Sequence, residues 1–205
     1  MSNILDEYLN QIQEGYLISD KTISVNLNDF ESGKKNKLLI IGPSGSGKTT
    51  IGESLSKKYK IEWISIDSLW WRLKKKYFKD SDLRDKVIHK KVEKKVYVEV
   101  IKYLKSNRRL IIEGIDLLEI YVKQPQYKKL ILNQPMIILG VSSIIGGLRA
   151  GIRNQRREAE GGYIMSMYWM IEFNMKRVQP KLEAVKKDIM KLPGAKIEKY
   201  KMPKM

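Results

Sequence analysis

One octapeptide restricts this chain more than any other feature in it. Gly42-Pro43-Ser44-Gly45-Ser46-Gly47-Lys48-Thr49 satisfies the pattern G-x-x-x-x-G-K-[ST] without a mismatch. The apolar run Leu38–Ile41 leads into it, and Thr50–Tyr59 after it is compatible with a helix. Glycines at this spacing let the backbone wrap a phosphate with its N–H groups turned inward, in conformations that a Cβ obstructs. The helix that follows adds the positive end of its dipole. In such a loop Lys48 reaches the β- and γ-phosphates and the Thr49 hydroxyl ligates Mg²⁺, with Thr50 beside it on the first helical turn. Strand, loop and helix thus point to an α/β fold that holds ATP and Mg²⁺.

The remaining pattern agrees. Buried-type strands are expected at Lys37–Ile41, Ile61–Ile66, Arg109–Glu113 and Met136–Val141, with a last candidate at Lys196–Tyr200. Ile88, Val92, Val96, Val100 and Leu104 recur every four residues, one face of a long helix that starts near Asp82. A second long helix is expected over Tyr163 to Val178, and Pro180 should kink or restart it. Short apolar strands alternating with helices argue a parallel sheet covered on both faces. At the N-terminus, residues 3–13 read as a short amphipathic helix and Thr22 to Leu27 as a strand.

Composition removes several chemistries. The 205 residues include no cysteine and a single histidine, His89. Disulfide frameworks, cysteine nucleophiles and multi-histidine metal centres are therefore excluded. The start Met1-Ser2-Asn3, with Asp6 and Glu7, has the wrong sign for a signal peptide. The longest apolar run, Met136 to Leu148, is too short to span a bilayer. A cytoplasmic protein without a membrane partner is expected. The 40 Lys and Arg outnumber the 23 Asp and Glu, for a net charge of +17. That excess is uneven, because residues 1–33 carry a net −5 and residues 34–205 a net +22. An acidic appendage, residues 1–36, thus precedes a basic body, residues 37–205. The body's charge suits nucleotides and leaves nucleic acid open as a partner; a solubilising lysine bias would look the same. The appendage could dock on the body or bind a partner protein.

Other residues gain roles by position. Leu110-Ile111-Ile112-Glu113-Gly114 is an apolar strand ending in a carboxylate, and Glu113 there could hold Mg²⁺ through a water or simply terminate the strand. Ligands of parallel α/β sheets bind beyond the carboxyl ends of the strands, so Asp67, after the second strand, stands where an acceptor would lie. Its carboxylate could orient or deprotonate an acceptor hydroxyl. Trp70 and Trp71 could stack on a base, with at least one of them expected in the core, and Arg72 could meet an acceptor phosphate or solvent. Arg149, Arg153 and either Arg156 or Arg157 share one helical face. Three converging arginines suit the transferring phosphoryl group, in a lid of about residues 146–162 flanked by glycine pairs. A solvated basic face or a nucleic-acid-binding helix would show the same spacing.

In order and spacing these pieces resemble the small P-loop kinases: nucleoside-monophosphate, shikimate and gluconate kinases, and adenylate-kinase-related topology modulation proteins. The resemblance covers about residues 37–201, and Asp67-Ser68-Leu69-Trp70-Trp71 looks most like the last group. It implies a P-loop NTPase three-layer sandwich with a five-stranded parallel sheet in the order 2-3-1-4-5. It further implies acceptor-binding helices at about residues 68–108 and a lid closing over ATP. Lys48, Thr49, Asp67 and the lid arginines take the corresponding roles. The D-G-[FY]-P-R segment of adenylate kinases is replaced by Glu113-Gly114-Ile115-Asp116-Leu117. The expected activity is an ATP-dependent phosphotransferase acting on a nucleotide or nucleoside. The alternatives are a nucleic-acid-directed kinase or nucleotide-gated nucleic-acid binder, and a non-catalytic ATP-binding assembly protein.

Overall fold

The computed structural model describes residues 22–79, 85–141, 146, 147, 149, 150 and 167–200. The elements run β1 (Ile23–Val25), α1 (Leu27–Glu31), β2 (Lys37–Ile41), α2 (Lys48–Tyr59), β3 (Glu62–Ser65) and α3 (Ile66–Tyr77). They continue with α4 (Lys86–Lys105), β4 (Leu110–Glu113), α5 (Asp116–Lys123), a 3₁₀ turn at Pro125–Tyr127, α6 (Lys128–Leu132) and β5 (Met136–Ile138). Then follow α7 (Met167–Phe173), a π-helical turn at Asn174–Val178, α8 (Gln179–Ile189) and β6 (Ile197–Lys199). Two compact units result. One takes Asn26–Ile41 and Lys48–Met136; the other takes the described residues of Met1–Val25, Gly42–Gly47 and Ile137–Met205.

The first unit is built on three parallel strands in the order β3-β4-β2. Every residue of β2 and β4 is buried, as expected of parallel strands covered on both faces. The register sets Ile40 and Ser65 on either side of Glu113, the last residue of β4. Ile51 and Leu55 of α2, and Val92, Val96, Val100 and Leu104 of α4, supply the apolar cover. The four-residue period of α4 thus marks its buried face, despite β-branched residues that favour helix less. Lys37, the first residue of β2, is buried. Its ammonium donates to the carbonyls of Ser106, at 2.8 Å, and Arg108. Burial, then the nearby Arg108 charge, lowers its pKa. α1 belongs to this unit through Phe30, which is fully buried, meets Tyr59 edge-on and carries the Arg109 guanidinium 4.8 Å above its ring.

In the second unit the strand order is β5-β1-β6, and β1 pairs antiparallel with β6, Ile23 opposite Lys199 and Val25 opposite Ile197. This corrects the all-parallel, five-stranded order. The last strand does not lie beside β5, because β1 occupies that place and turns β6 antiparallel. The chain is an α/β protein with six strands of mixed direction among the described residues. β1 also ends earlier than its alternation suggests, since Asn26 adopts φ 51° and starts α1 at Leu27. Asparagine tolerates that left-handed conformation better than most residues. Pro180 does restart a helix, falling in the first turn of α8 just after the π-helical turn. The expected strand Ile61–Ile66 stops at Ser65, and Ile66 opens α3. The expected N-terminal helix 3–13 lies outside the described residues. No helix among the described residues is long and apolar enough to cross a membrane.

Candidate active site

The phosphate loop is held by close backbone approach. A Cβ on Gly42 would lie 2.8 Å from both the Leu139 Cβ and the Ser46 Oγ, so the first position of the motif admits only glycine. Gly45 has φ +75°, and a Cβ there would meet the Gly146 carbonyl oxygen at 2.1 Å and the Ala150 nitrogen at 3.1 Å. The turn containing Gly146 and Ala150 is therefore packed on the loop, and Arg149 sits within that turn. Ser44 is gripped at both backbone groups by one side chain. Its N–H donates to Asn174 Oδ1 at 3.1 Å, and its carbonyl accepts from Asn174 Nδ2 at 3.2 Å. Asn174 is fully buried and opens the π-helical turn, a local irregularity that often marks functional positions. Nothing in the sequence pattern singled it out.

Lys48, Thr49 and Thr50 form the first turn of α2. The Thr49 hydroxyl donates to Glu113 Oε1 at 3.3 Å. Glu113 is only 1% exposed. Burial pushes its carboxyl above the usual range, against the pull of the Lys48 charge and of hydrogen bonds from Ser65 and Thr49; the Asp67 charge adds to the push. A carboxylate buried this way is poised for a cation, which would relieve the desolvation penalty. The expected pairing of Thr49 with Glu113 is thus brought together at one point.

Asp67 is the second residue of α3, exposed, with its charge felt by both Glu113 and Asp116. Asp116 escaped the sequence reading. It is 7% exposed, burial pushes its pKa up to about 7, and it accepts a 3.0 Å hydrogen bond from Trp70 Nε1. The Trp70 ring also rests on His89, 4.8 Å between centroids. Trp70 is therefore a strut joining α3, α4 and α5. Its neighbour Trp71 is 57% exposed. Arg72 is exposed and donates to the Tyr103 hydroxyl at 3.2 Å.

Of the four arginines assigned to the lid, Arg149 is described; Arg153, Arg156 and Arg157 lie outside the described residues. Arg149 Nε and Nη2 are shielded from solvent and have no hydrogen-bond partner, and burial lowers its pKa. The Ser46 hydroxyl is likewise buried and unpartnered. Unsatisfied donors at Ser46 and Arg149, within the unit that holds Gly42–Gly47, suit an anion such as a phosphate. Among the described residues no group of three or more His, Asp or Glu side chains gathers to hold an ion. A magnesium ion here would rely on Thr49, Glu113 and the nucleotide's own phosphates.

No family model matches the chain. Over 80 residues it is 32% identical to the cytidylate kinase of Sulfolobus acidocaldarius, a stretch that spans 38% of this chain and 44% of that protein. The match therefore covers less than half the length of this curated relative. Among solved structures, shikimate kinase from Acinetobacter baumannii in complex with shikimate is similar, with a TM-score of 0.50 at 16% identity. That likeness covers 76% of this chain and 83% of the other. Both are named as kinases, and the resemblance to the small P-loop kinases is supported at that level. The α/β fold is like that of shikimate kinase.

Proposed function

We propose that the chain is a phosphotransferase that moves the terminal phosphoryl group of Mg-ATP to a nucleotide-like acceptor in the cytoplasm. One observation carries this reading: the Thr49 hydroxyl on the buried Glu113 carboxylate, at the start of the helix that follows an uninterrupted phosphate loop. ATP bound with magnesium would supply the transferable phosphoryl group. The N–H groups of Gly45 and Gly47 and the Lys48 ammonium hold the phosphates, Thr49 and Glu113 position the metal, and Arg149 neutralises developing charge. Arg153, Arg156 and Arg157 join it on the strength of helical spacing. Asp67 orients the acceptor hydroxyl and takes its proton. Positioning and charge neutralisation then provide most of the rate. Residues 37–205 form the catalytic body in this reading, and residues 1–36 an appendage.

A transfer assay with labelled ATP and a panel of nucleosides and nucleotides tests it. Lys48→Ala should cut transfer by about 10³-fold while the far-UV spectrum stays that of a folded α/β protein. Full ATP turnover in Lys48→Ala rules the assignment out. ATP binding without turnover in the unaltered chain points to the non-catalytic alternative. A second reading, that the acceptor is nucleic acid, is favoured by the exposed face of α3.

A further inference from the structure

Asp67 marks where an acceptor hydroxyl belongs, and α3 bears on how large that acceptor is. Helical spacing sets Trp71 one turn beyond Asp67, and Lys74 and Lys75 one turn beyond Trp71, all on one face. Trp70 is pinned by Asp116 and His89, whereas Trp71 leaves more than half of its indole in water. Tryptophans are on average well covered, so this exposure is unusual for the residue type.

Within α3 and α4, cations outnumber carboxylates. α3 carries Arg72, Lys74, Lys75 and Lys76 against Asp67 alone. α4 carries seven lysines against two glutamates, and both glutamates are engaged, Glu93 with Lys123 and Glu99 with Lys102. Lys74 donates to the Lys79 carbonyl at 3.1 Å, which orients it without neutralising it. The ammonium groups of Lys76 and Lys95 lie 5.0 and 4.0 Å from the centroid of the Tyr77 ring, itself 48% exposed. Cations of α3 and α4 thus converge on a second exposed aromatic. Lysines in a last helical turn do complement the helix dipole, but that accounts for neither Trp71 nor Lys95.

A free mononucleotide requires neither feature. Small-ligand sites enclose most of their ligand. An open aromatic followed by a run of cations without a carboxylate partner among the described residues is instead how single strands are held irrespective of sequence, one base on each ring and the backbone on the lysines. We propose that the acceptor is the hydroxyl end of a single-stranded polynucleotide, with its terminal base on Trp71 and its phosphates along Lys74, Lys75, Lys76 and Lys95. This rests on the phosphotransferase reading above. The terminal hydroxyl oxygen forms a bond to the γ-phosphorus of the nucleoside triphosphate as the bond from that phosphorus to the β–γ bridging oxygen breaks. The electron pair leaves with the nucleoside diphosphate, and the hydroxyl proton passes to the Asp67 carboxylate.

The test offers the full chain labelled ATP with single-stranded DNA and RNA oligonucleotides bearing a free 5′- or 3′-hydroxyl, and with nucleosides and nucleotides. Label should enter an oligonucleotide end, with a KM at least about tenfold below that for the matching mononucleotide and rising steeply with salt. Trp71→Ala and Lys75→Glu should each raise the oligonucleotide KM about tenfold, and Trp71→Phe should restore most of the loss by keeping a stacking face. Because Trp71 is exposed, an unchanged thermal midpoint is expected in these variants. Transfer confined to nucleosides or nucleotides, at a rate that Trp71→Ala leaves untouched, overturns this proposal alone. Transfer to no acceptor overturns it together with the phosphotransferase reading.

Discussion

The loop Gly42–Gly47 and the opening turns of α3 both follow a strand, yet they are held in opposite ways. In the loop there is no space for a Cβ at Gly42 or Gly45, and both backbone polar groups of Ser44 are taken by Asn174. On α3 only one side is fixed, by Trp70 on Asp116, while Trp71 and the lysines beyond it face solvent. The contrast teaches where each kind of recognition is stored. A phosphate is the same in every donor, so main-chain geometry can be built for it once. An acceptor is recognised by side chains, which can change without disturbing the fold.

Glu113 offers the harshest way to break that contrast, because it belongs to the pre-set side but acts through a side chain. Its raised pKa means that the folded protein is penalised for carrying the charge. The stability it contributes is complete below the ordinary carboxylate range and is lost as pH rises through the raised value. Glu113→Gln keeps an acceptor for the Thr49 hydroxyl and removes the charge. Activity should fall by about 100-fold or more, while the metal-free protein becomes more stable at neutral pH. Steady-state kinetics and urea unfolding at several pH values read the two effects. A variant losing stability as well as activity would make Glu113 an ordinary structural residue.

Asn174 tests the loop itself. Removing its amide leaves the N–H and carbonyl of Ser44 without their partners, a cost of about 1–3 kcal/mol. Asn174→Ala should weaken ATP binding by about tenfold in calorimetry, with a smaller effect on the acceptor KM. Equal loss for both substrates would mean a general loosening of the unit.

Legibility in the sequence followed the same division. Within Gly42–Thr49, Gly42, Gly45 and Gly47 could be read because φ or close approach calls for glycine, and Lys48 and Thr49 because phosphate and Mg²⁺ chemistry calls for them. Glu113 could be read because an apolar run ended on it. Asn174 could not, since its partner Ser44 is 130 residues away and an asparagine in a Met- and Trp-rich helix carries no period. Trp70 and Trp71 are adjacent and chemically identical, and only the 100° turn between them makes one a strut and the other a free face. The antiparallel β1 and β6 are three residues each and lie at opposite ends of the chain, so no local pattern pairs them.

The smallest expected effect concerns the strut. Asp116 faces the Trp70 N–H, and the Asp67 and Glu119 charges, and its pKa is pushed up to about 7, mainly by burial. An unfolded aspartate titrates near about 4, so the unfolded chain gives up this proton first as pH rises. The stability contributed by Asp116 is therefore full below about pH 4 and declines as pH passes through about 7. Asp116→Asn keeps the acceptor for Trp70 and has no proton to lose. The urea midpoint of the unaltered protein should fall between about pH 5 and about pH 8, and more gently in the variant. An Asp116→Asn variant with the full original slope would show that this carboxyl is already ionised near its ordinary value. The strut would then be a charged hydrogen bond, and the face of α3 would rest on a firmer support than a neutral acid provides.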